Sequence, residues 1–399
     1  MKLPSYSEFE KYWHHDPETV FLNHGSFGSC PAEILSKQCA LQMKMEEEPV
    51  RFMTRDWEQL YWENKRALAE FVNCKAEDLV LINNTTMGVN TILHALRLNE
   101  HDEILTHNHA YGACLNTLRY YAERYRCRLH IAEVPFPLHH EDEITEAILK
   151  AVTPRTRLAM IDHITSATGI VFPVERITRE LEARGVEVLV DGAHAPGMLD
   201  LNLEAIGASY YTGNCHKWIC SPKGSALLHV RKDKQAKISP LQVSHKNDLY
   251  SGTNKDWSAQ FMWPGTDDYT AFFMIKDSIA FMGQLMGGWE ALRERNRKLC
   301  LEARTYLSQI TGTPLPAPES MISHLSNILV QEHAPSPAIS FNMVAPLKAK
   351  LLEEYHIQVP VFFFHSGNPR LWVRISVQAY NSPEQYRYLG DCLKELLSN

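Results

Sequence analysis

The sequence predicts an α/β protein built on a mostly parallel sheet with helices on both faces, and three observations carry that expectation. From about residue 79 to residue 230, short apolar runs alternate with longer amphipathic ones. Apolar runs without polar alternation are the pattern of strands buried on both faces. The strand–helix–strand order recurs instead of grouping the strands together, which is the order of parallel βαβ units with right-handed crossovers. Polar residues follow directly after the apolar runs, where such sheets bind their ligands.

Along the chain, "DLVLI" (78–82) reads as a buried strand and "TMGVNTILHALRL" (86–98) as a helix. "DEILT" (102–106) is a strand, "AYGACLNTLRYYAERY" (110–125) a helix, and "RLHIAEV" (128–134) and "RLAMID" (157–162) are strands. "PVERITRELEARG" (173–185) opens on proline and closes on glycine, the end signals of a helix. "VEVLVDGAH" (186–194) is a strand running into a loop, and "ASYYTGN" (208–214) and "SALLHV" (225–230) complete the pattern. After "WPGT" (263–266) one long helical stretch is expected over 267–310, then a proline-rich break, "TGTPLPAPES" (311–320). The tail alternates strand-like and helical segments: "LSNILVQE", "SPAISFNMVAPLKAKLLEEY", "RLWVRISV" and "SPEQYRYLGDCLKELLSN". The expected division is a large domain over 15–270 and a smaller α+β domain over 271–399 that takes in residues 1–14.

Composition narrows the function classes. The chain has 399 residues, 45% hydrophobic and 22% charged, with a formal net charge of −7 and no basic stripe, which argues against a nucleic-acid partner. No apolar run approaches the ~18 residues that span a bilayer, and the polar start, "MKLPSYSEFEKYWHHDPETV", has no signal-peptide core. Nine cysteines scattered through apparent core segments fit a reduced, cytoplasmic protein.

The expected strand ends converge on one edge. Thr85 and Thr86 stand at a helix N-terminus, where aligned N–H groups and roughly half a positive charge suit a phosphate. Asp191 is a carboxylate at the end of a buried strand, where it needs a cation. Tyr111 opens a helix with a flat ring, and Lys217 offers an amine among aromatic and small residues. Phosphate, cationic ring nitrogen, flat ring and aldehyde together describe pyridoxal 5′-phosphate, with the lysine as Schiff-base partner. His107 and His109 lack further ligands at metal-site spacing, so no metal is expected.

Six stretches carry a family resemblance: "FLNHGSFGSCP" (21–31), "THNHAYGA" (106–113), "VDGAHAPG" (190–197), "YYTGNCHKWICSPKG" (210–224), "WPGT" (263–266) and "RISVQAYNS" (374–382). With them the sequence resembles the class V aminotransferase group of fold-type I pyridoxal-phosphate enzymes, in its isopenicillin-N epimerase-like branch. The resemblance implies a mostly parallel seven-stranded sheet in the large domain. It implies Lys217 as the cofactor lysine, Asp191 on the ring nitrogen and His194 at the phenolic oxygen. Tyr111 would stack on the ring, with His109 as second choice. Thr85, Thr86, Asn214, His216 and, less directly, Thr212 would hold the phosphate. Thr266 would reach the cofactor of the neighbouring subunit in a homodimer. Arg374 would grip the carboxylate of an amino-acid substrate, and Asn23 and His24 would line the substrate side.

The resemblance also implies the reaction: Lys217 removes the Cα proton, and epimerisation or racemisation, β-elimination of a C–S bond, or transamination follows. Epimerisation is the first expectation. The second proton donor stays open between His24, His216 and Tyr111. Arg51, Arg55 and "VFFFH" (361–365) are expected near the substrate, although the two arginines read equally as surface ion-pair residues. A non-catalytic scaffold would need neither Lys217 nor Asp191. Cysteine desulfurases are similar but carry a nucleophilic cysteine before the substrate arginine; "VPVFFFHSGNPRLWVR" (359–374) has none, so a persulfide-forming enzyme is not expected. Cys215 and Cys220 read as packing residues.

Overall fold

The computed structural model describes residues 3–245, 257–331, 346–366 and 368–398. Its centre is a seven-stranded sheet formed by β1 (Leu79–Ile82), β2 (Glu103–His107), β3 (Arg128–Ala132), β4 (Thr156–Asp162), β5 (Glu187–Asp191), β6 (Tyr210–Asn214) and β7 (Ala226–Val230), in the spatial order β1-β7-β6-β5-β4-β2-β3. Six strands share one direction, and β7 opposes both its neighbours. The connection from β6 to β7 holds only residues 215–225, too few for a covered parallel crossover, so β7 returns antiparallel. Alternate residues of the strands enter two different cores: Leu105, Ile161, Val188 and Val190 on one face, Ile104, Met160, Leu189 and Leu228 on the other. That two-sided burial is why the strands read as unbroken apolar runs.

The helices follow local signals. Before α1 (Thr85–Ala95), Asn84 accepts a hydrogen bond from Met87 N at 2.9 Å and caps the helix. α2 (Gly112–Tyr125) begins after Tyr111, and α3 (Val174–Glu182) begins after Pro173 and is followed by Gly185 at φ 76°. The helix expected over 267–310 is instead three pieces, Thr270–Phe273, Ile275–Gln284 and α4 (Trp289–Thr311). Gly287 and Gly288 take φ values of 80° and 146°, outside the right-handed helical region, and break the longest stretch. Two further helices, Ala32–Glu47 and Trp57–Phe71, precede the sheet; the second buries Trp57, Tyr61, Leu68 and Ala69 on one face.

A second, antiparallel sheet is formed from β8 (Leu325–Gln331), β9 (Val361–Ser366) and β10 (Asn368–Ser376) in the order β9-β10-β8. The final helix, α5 (Pro383–Ser398), is tied to it by Tyr386 Oη donating to Ser376 O at 2.7 Å. In the segment 336–355, Pro346–Glu353 is helical and residues 336–345 lie outside the described residues. The N-terminus packs against this C-terminal part: Ser7 N donates to Tyr380 O at 2.9 Å, and Val20–Phe21 pairs with Ile357–Gln358. Among the described residues, no helix is long and apolar enough to cross a membrane.

Candidate active site

The carboxyl ends of β1, β4, β5 and β6 open on one cavity of about 430 Å³, which is also lined from the start of α2, from β10 and from the N-terminal segment. Asp191, His194, Lys217, Thr85, Thr86, Asn214, His216, Tyr111 and Arg374 all line it.

Asp191 ends β5 and is buried. Its Oδ1 accepts from Ala193 N at 3.0 Å and its Oδ2 from Cys114 Sγ at 3.2 Å. Burial raises its pKa, the neighbouring Asp162 adds to this, and Lys217 works against both. The carboxylate thus lacks a full counter-charge, which a cationic ring nitrogen supplies. Lys217 is enclosed except toward the cavity. Burial lowers its pKa most, Asp191 opposes that, and Arg374 lowers it further, so the amine is more readily neutral than an exposed lysine. Its Nζ lies 3.1 Å from His194 Nε2. Trp218 Nε1 donates to His194 Nδ1 at 3.3 Å, and burial holds the ring neutral. The imidazole proton therefore sits on Nε2, on the Lys217 side.

At the far end, Thr85 N donates to Asn214 Oδ1 at 2.9 Å and joins the start of α1 to the end of β6. Thr85 Oγ1 is buried without a protein partner. His216 Nδ1 lies 3.1 Å from the Ser225 carbonyl and donates to it. An orphaned hydroxyl at a helix N-terminus, an amine near the middle and an under-compensated carboxylate at the opposite end fit the phosphate, aldehyde and ring nitrogen of pyridoxal 5′-phosphate.

Arg374 is buried on β10. Its Nη1 donates to Ser166 O, and its Nη2 lies 3.4 Å from Asn23 Oδ1 and 3.3 Å from Ser26 Oγ. Its Nε has no protein partner. Burial lowers its pKa to about 10, so it stays cationic at neutral pH.

Several expected site residues lie outside the lining. His109 sits under the cavity floor, with Nδ1 2.7 Å from Thr168 Oγ1, Nε2 3.1 Å from Val134 O, and its ring against Phe364; of the two ring-stacking candidates, only Tyr111 reaches the cavity. Thr212 is two residues short of the end of β6. Its hydroxyl donates to Leu227 O, and it packs under Gly88, where a Cβ would come within 2.2 Å of Thr212 Oγ1. It is therefore spent inside the sheet and cannot serve a phosphate. His24 is fully buried, bonded to the backbone of Lys217 and to Tyr380, which removes it from the substrate side and from the proton-donor candidates. Asn23 does not line the cavity and reaches it only through Arg374 and Ser26. Arg51 is an exposed surface residue near Glu48 and Asp56, and Thr266 is exposed and does not line the cavity. Among the described residues, no group of three or more His, Cys, Asp or Glu could hold a metal ion.

Asp162 was missed by sequence reasoning. It ends β4 as Asp191 ends β5, and the register makes the two direct neighbours, so strand-end logic applied to "RLAMID" would have found it. Its backbone N donates to His107 Nε2 at 3.1 Å, its Oδ1 lies 3.4 Å from the same nitrogen without a hydrogen bond, and burial raises its pKa well above the usual range. Two buried carboxylates side by side do not both ionise, and the one farther from compensation keeps the proton. Asp162→Asn, a neutral isostere, is accordingly expected to change the affinity for pyridoxal 5′-phosphate less than about threefold. An ionised Asp162 would instead make that substitution worth about tenfold or more, at 1.4 kcal/mol per decade; fluorescence titration of the apoprotein tells the two apart.

Comparison with known proteins agrees with this chemistry. Residues 41–388 match the family model described as aminotransferase class-V. A probable L-cysteine desulfhydrase, chloroplastic, of Arabidopsis thaliana is 30% identical over 98% of this chain and 86% of its own length. Isopenicillin N epimerase of Streptomyces clavuligerus is 31% identical over 96% of each chain. Among solved structures, the cystine C–S lyase C-DES in complex with its product cysteine persulfide superposes with a TM-score of 0.77 at 21% identity, covering 94% of this chain and 97% of that one. An apo cysteine desulfurase from Thermococcus onnurineus gives 0.78 at 18% identity over 100% and 99%. At those identities the two structures speak for the fold alone.

Proposed function

The chain belongs to the class-V aminotransferase family and is a pyridoxal-phosphate enzyme, and from that premise we propose that it is a β-eliminating C–S lyase acting on cysteine or a small cysteine conjugate. The observation that carries this reading is the content of the cavity: one amine base, Lys217, and one carboxylate clamp, Arg374, in about 430 Å³ that the cofactor must share. That is toward the small end of ligand cavities, ~300–1,000 Å³, which favours a short side chain. Elimination needs a single base at Cα, whereas epimerisation needs proton-transfer groups on both faces. The desulfhydrase relatives support the same reading.

Thr85, Thr86, Asn214 and His216 would hold the phosphate, Asp191 the ring nitrogen, Lys217 the aldehyde carbon and His194 the phenolic oxygen. When bound, the cofactor supplies an electron-withdrawing ring that accepts the pair left at Cα. Arg374 fixes the substrate carboxylate through its planar fork and orients Cα. Lys217, lowered in pKa by burial, would remove the Cα proton. The Cβ–S bond would then break, with sulfur leaving with its bonding pair and taking the proton that Lys217 removed from Cα, and water would convert the released three-carbon enamine to pyruvate and ammonium. The partner surface would be a second copy of this chain, with the exposed Thr266 facing the neighbour's phosphate. Nine free cysteines support a reducing, cytoplasmic setting.

Epimerisation is the second reading, favoured by the isopenicillin N epimerase relatives and by Tyr111, which is 45% exposed and brings a phenol to the cavity as a group that would return a proton. A panel of amino acids in heavy water separates the two. L-cysteine or an S-conjugate is expected to give equimolar pyruvate, ammonium and thiol or sulfide. Cα deuteration with loss of chirality and no pyruvate would replace the lyase by the epimerase.

A further inference from the structure

We propose that His24 is a positioning residue: it clamps the backbone of Lys217 to Tyr380, so that the segment Asn23–Gly28 is a strap that holds the amine and Arg374 in one fixed geometry. The inference rests on Lys217 being the cofactor-bearing residue.

His24 is fully buried, with its Nε2 2.9 Å from Lys217 O and its Nδ1 2.9 Å from Tyr380 Oη. A carbonyl can only accept, so Nε2 carries the proton and Nδ1 accepts from the tyrosine hydroxyl. This neutral tautomer satisfies both contacts, with Gln378 Nε2 3.3 Å from the same ring nitrogen as the Lys217 carbonyl, and burial keeps the ring neutral. The Lys217 carbonyl also accepts from Cys220 N at 3.1 Å, in a turn that drives Cys220 to φ 59°, a left-handed conformation unusual for a residue with a side chain. A strained turn next to the reactive amine needs an external restraint, and His24 supplies it from a segment far away in sequence.

The rest of the strap reaches the other side of the site. Gly25 N lies 3.3 Å from Ser376 Oγ, and Ser26 Oγ donates to Asn23 Oδ1 at 2.5 Å while facing Arg374 Nη2. Gly28, at φ 71°, passes so close that a Cβ there would lie 2.0 Å from His216 O. One short segment therefore touches the residue before the lysine, the lysine backbone and the arginine head. A displacement of about 1 Å in such a constellation costs up to about a hundredfold in rate.

The test uses the holoenzyme. His24→Leu removes both contacts, Tyr380→Phe removes one hydroxyl, and His24→Gln offers one donor and one acceptor at similar spacing. The expected result is a kcat about ten- to a hundredfold lower for His24→Leu, with KM changed less than about threefold, weaker visible circular dichroism of the bound cofactor and faster cofactor release. Tyr380→Phe is expected to move the same quantities in the same direction by less, and His24→Gln to restore most of the dichroism. If His24→Leu does not fold, Tyr380→Phe and His24→Gln carry the test. Unchanged kcat and dichroism in Tyr380→Phe, or a folded His24→Gln no better than a folded His24→Leu, overturns the proposal. Borohydride reduction of the same variants shows whether the cofactor is still on Lys217, which separates failure of the strap from failure of the site.

Discussion

Lys217→Ala is expected to abolish turnover, with activity at least ~10³-fold below the native enzyme. The loss has two sources. General-base catalysis by a positioned amine is worth roughly 10²–10⁴-fold, and the same residue is the covalent anchor for the cofactor. The surroundings show why no neighbour substitutes. His194, 3.1 Å away, is buried and held neutral, with Trp218 donating to its other nitrogen. His216 is pushed down to about 4 by burial first and Lys217 second, and its Nδ1 is committed to Ser225 O. The variant should still bind the cofactor through the phosphate-holding residues but lose the absorbance of the lysine-bound form. Measured activity within tenfold of the native enzyme would remove Lys217 from the chemistry.

Asp191→Asn should produce the second largest effect, a fall in kcat/KM of about 10²–10³, the range seen when a preorganised electrostatic partner is removed from an active site. The amide keeps the hydrogen bond from Ala193 N, so the fold tolerates it. What disappears is the negative charge that keeps the ring nitrogen protonated. The cofactor should remain attached to Lys217, because the amine is untouched, and the ring nitrogen should lose its proton at lower pH. Native-like kcat/KM together with an unchanged absorbance–pH profile would show that Asp191 does not face the ring.

Much of this site was legible because strands buried on both faces end in polar residues only where something is to be bound. Asp191, Asn214 and the Thr85–Thr86 helix start stood out for that reason, and Lys217 stood out among aromatic and small neighbours. The same logic would have shown Asp162, had "RLAMID" been followed to its end. What was not legible depends on depth and direction. His109 and Tyr111 are two residues apart, and only the fold shows that the first is spent on Thr168 and Val134 away from the lining. Thr212 and Asn214 lie on the same face of β6, and only Asn214 stands clear of the helix that covers the strand. His24 could be placed near the site from its motif, but not under the lysine, because that contact depends on how the N-terminus meets the C-terminal sheet. The Ala32–Glu47 helix was silent for a simpler reason: it buries only Ile34, so it shows almost no apolar periodicity. The break at Gly287–Gly288 was visible as a glycine pair but was outweighed by the helical residues on either side.

The most direct measurement is borohydride reduction of the native protein with its cofactor, followed by proteolysis and mass mapping of the labelled peptide. A single reduced pyridoxyl adduct on the peptide that contains Lys217 is expected. An adduct on another lysine, or none from a protein saturated with pyridoxal 5′-phosphate, would contradict it.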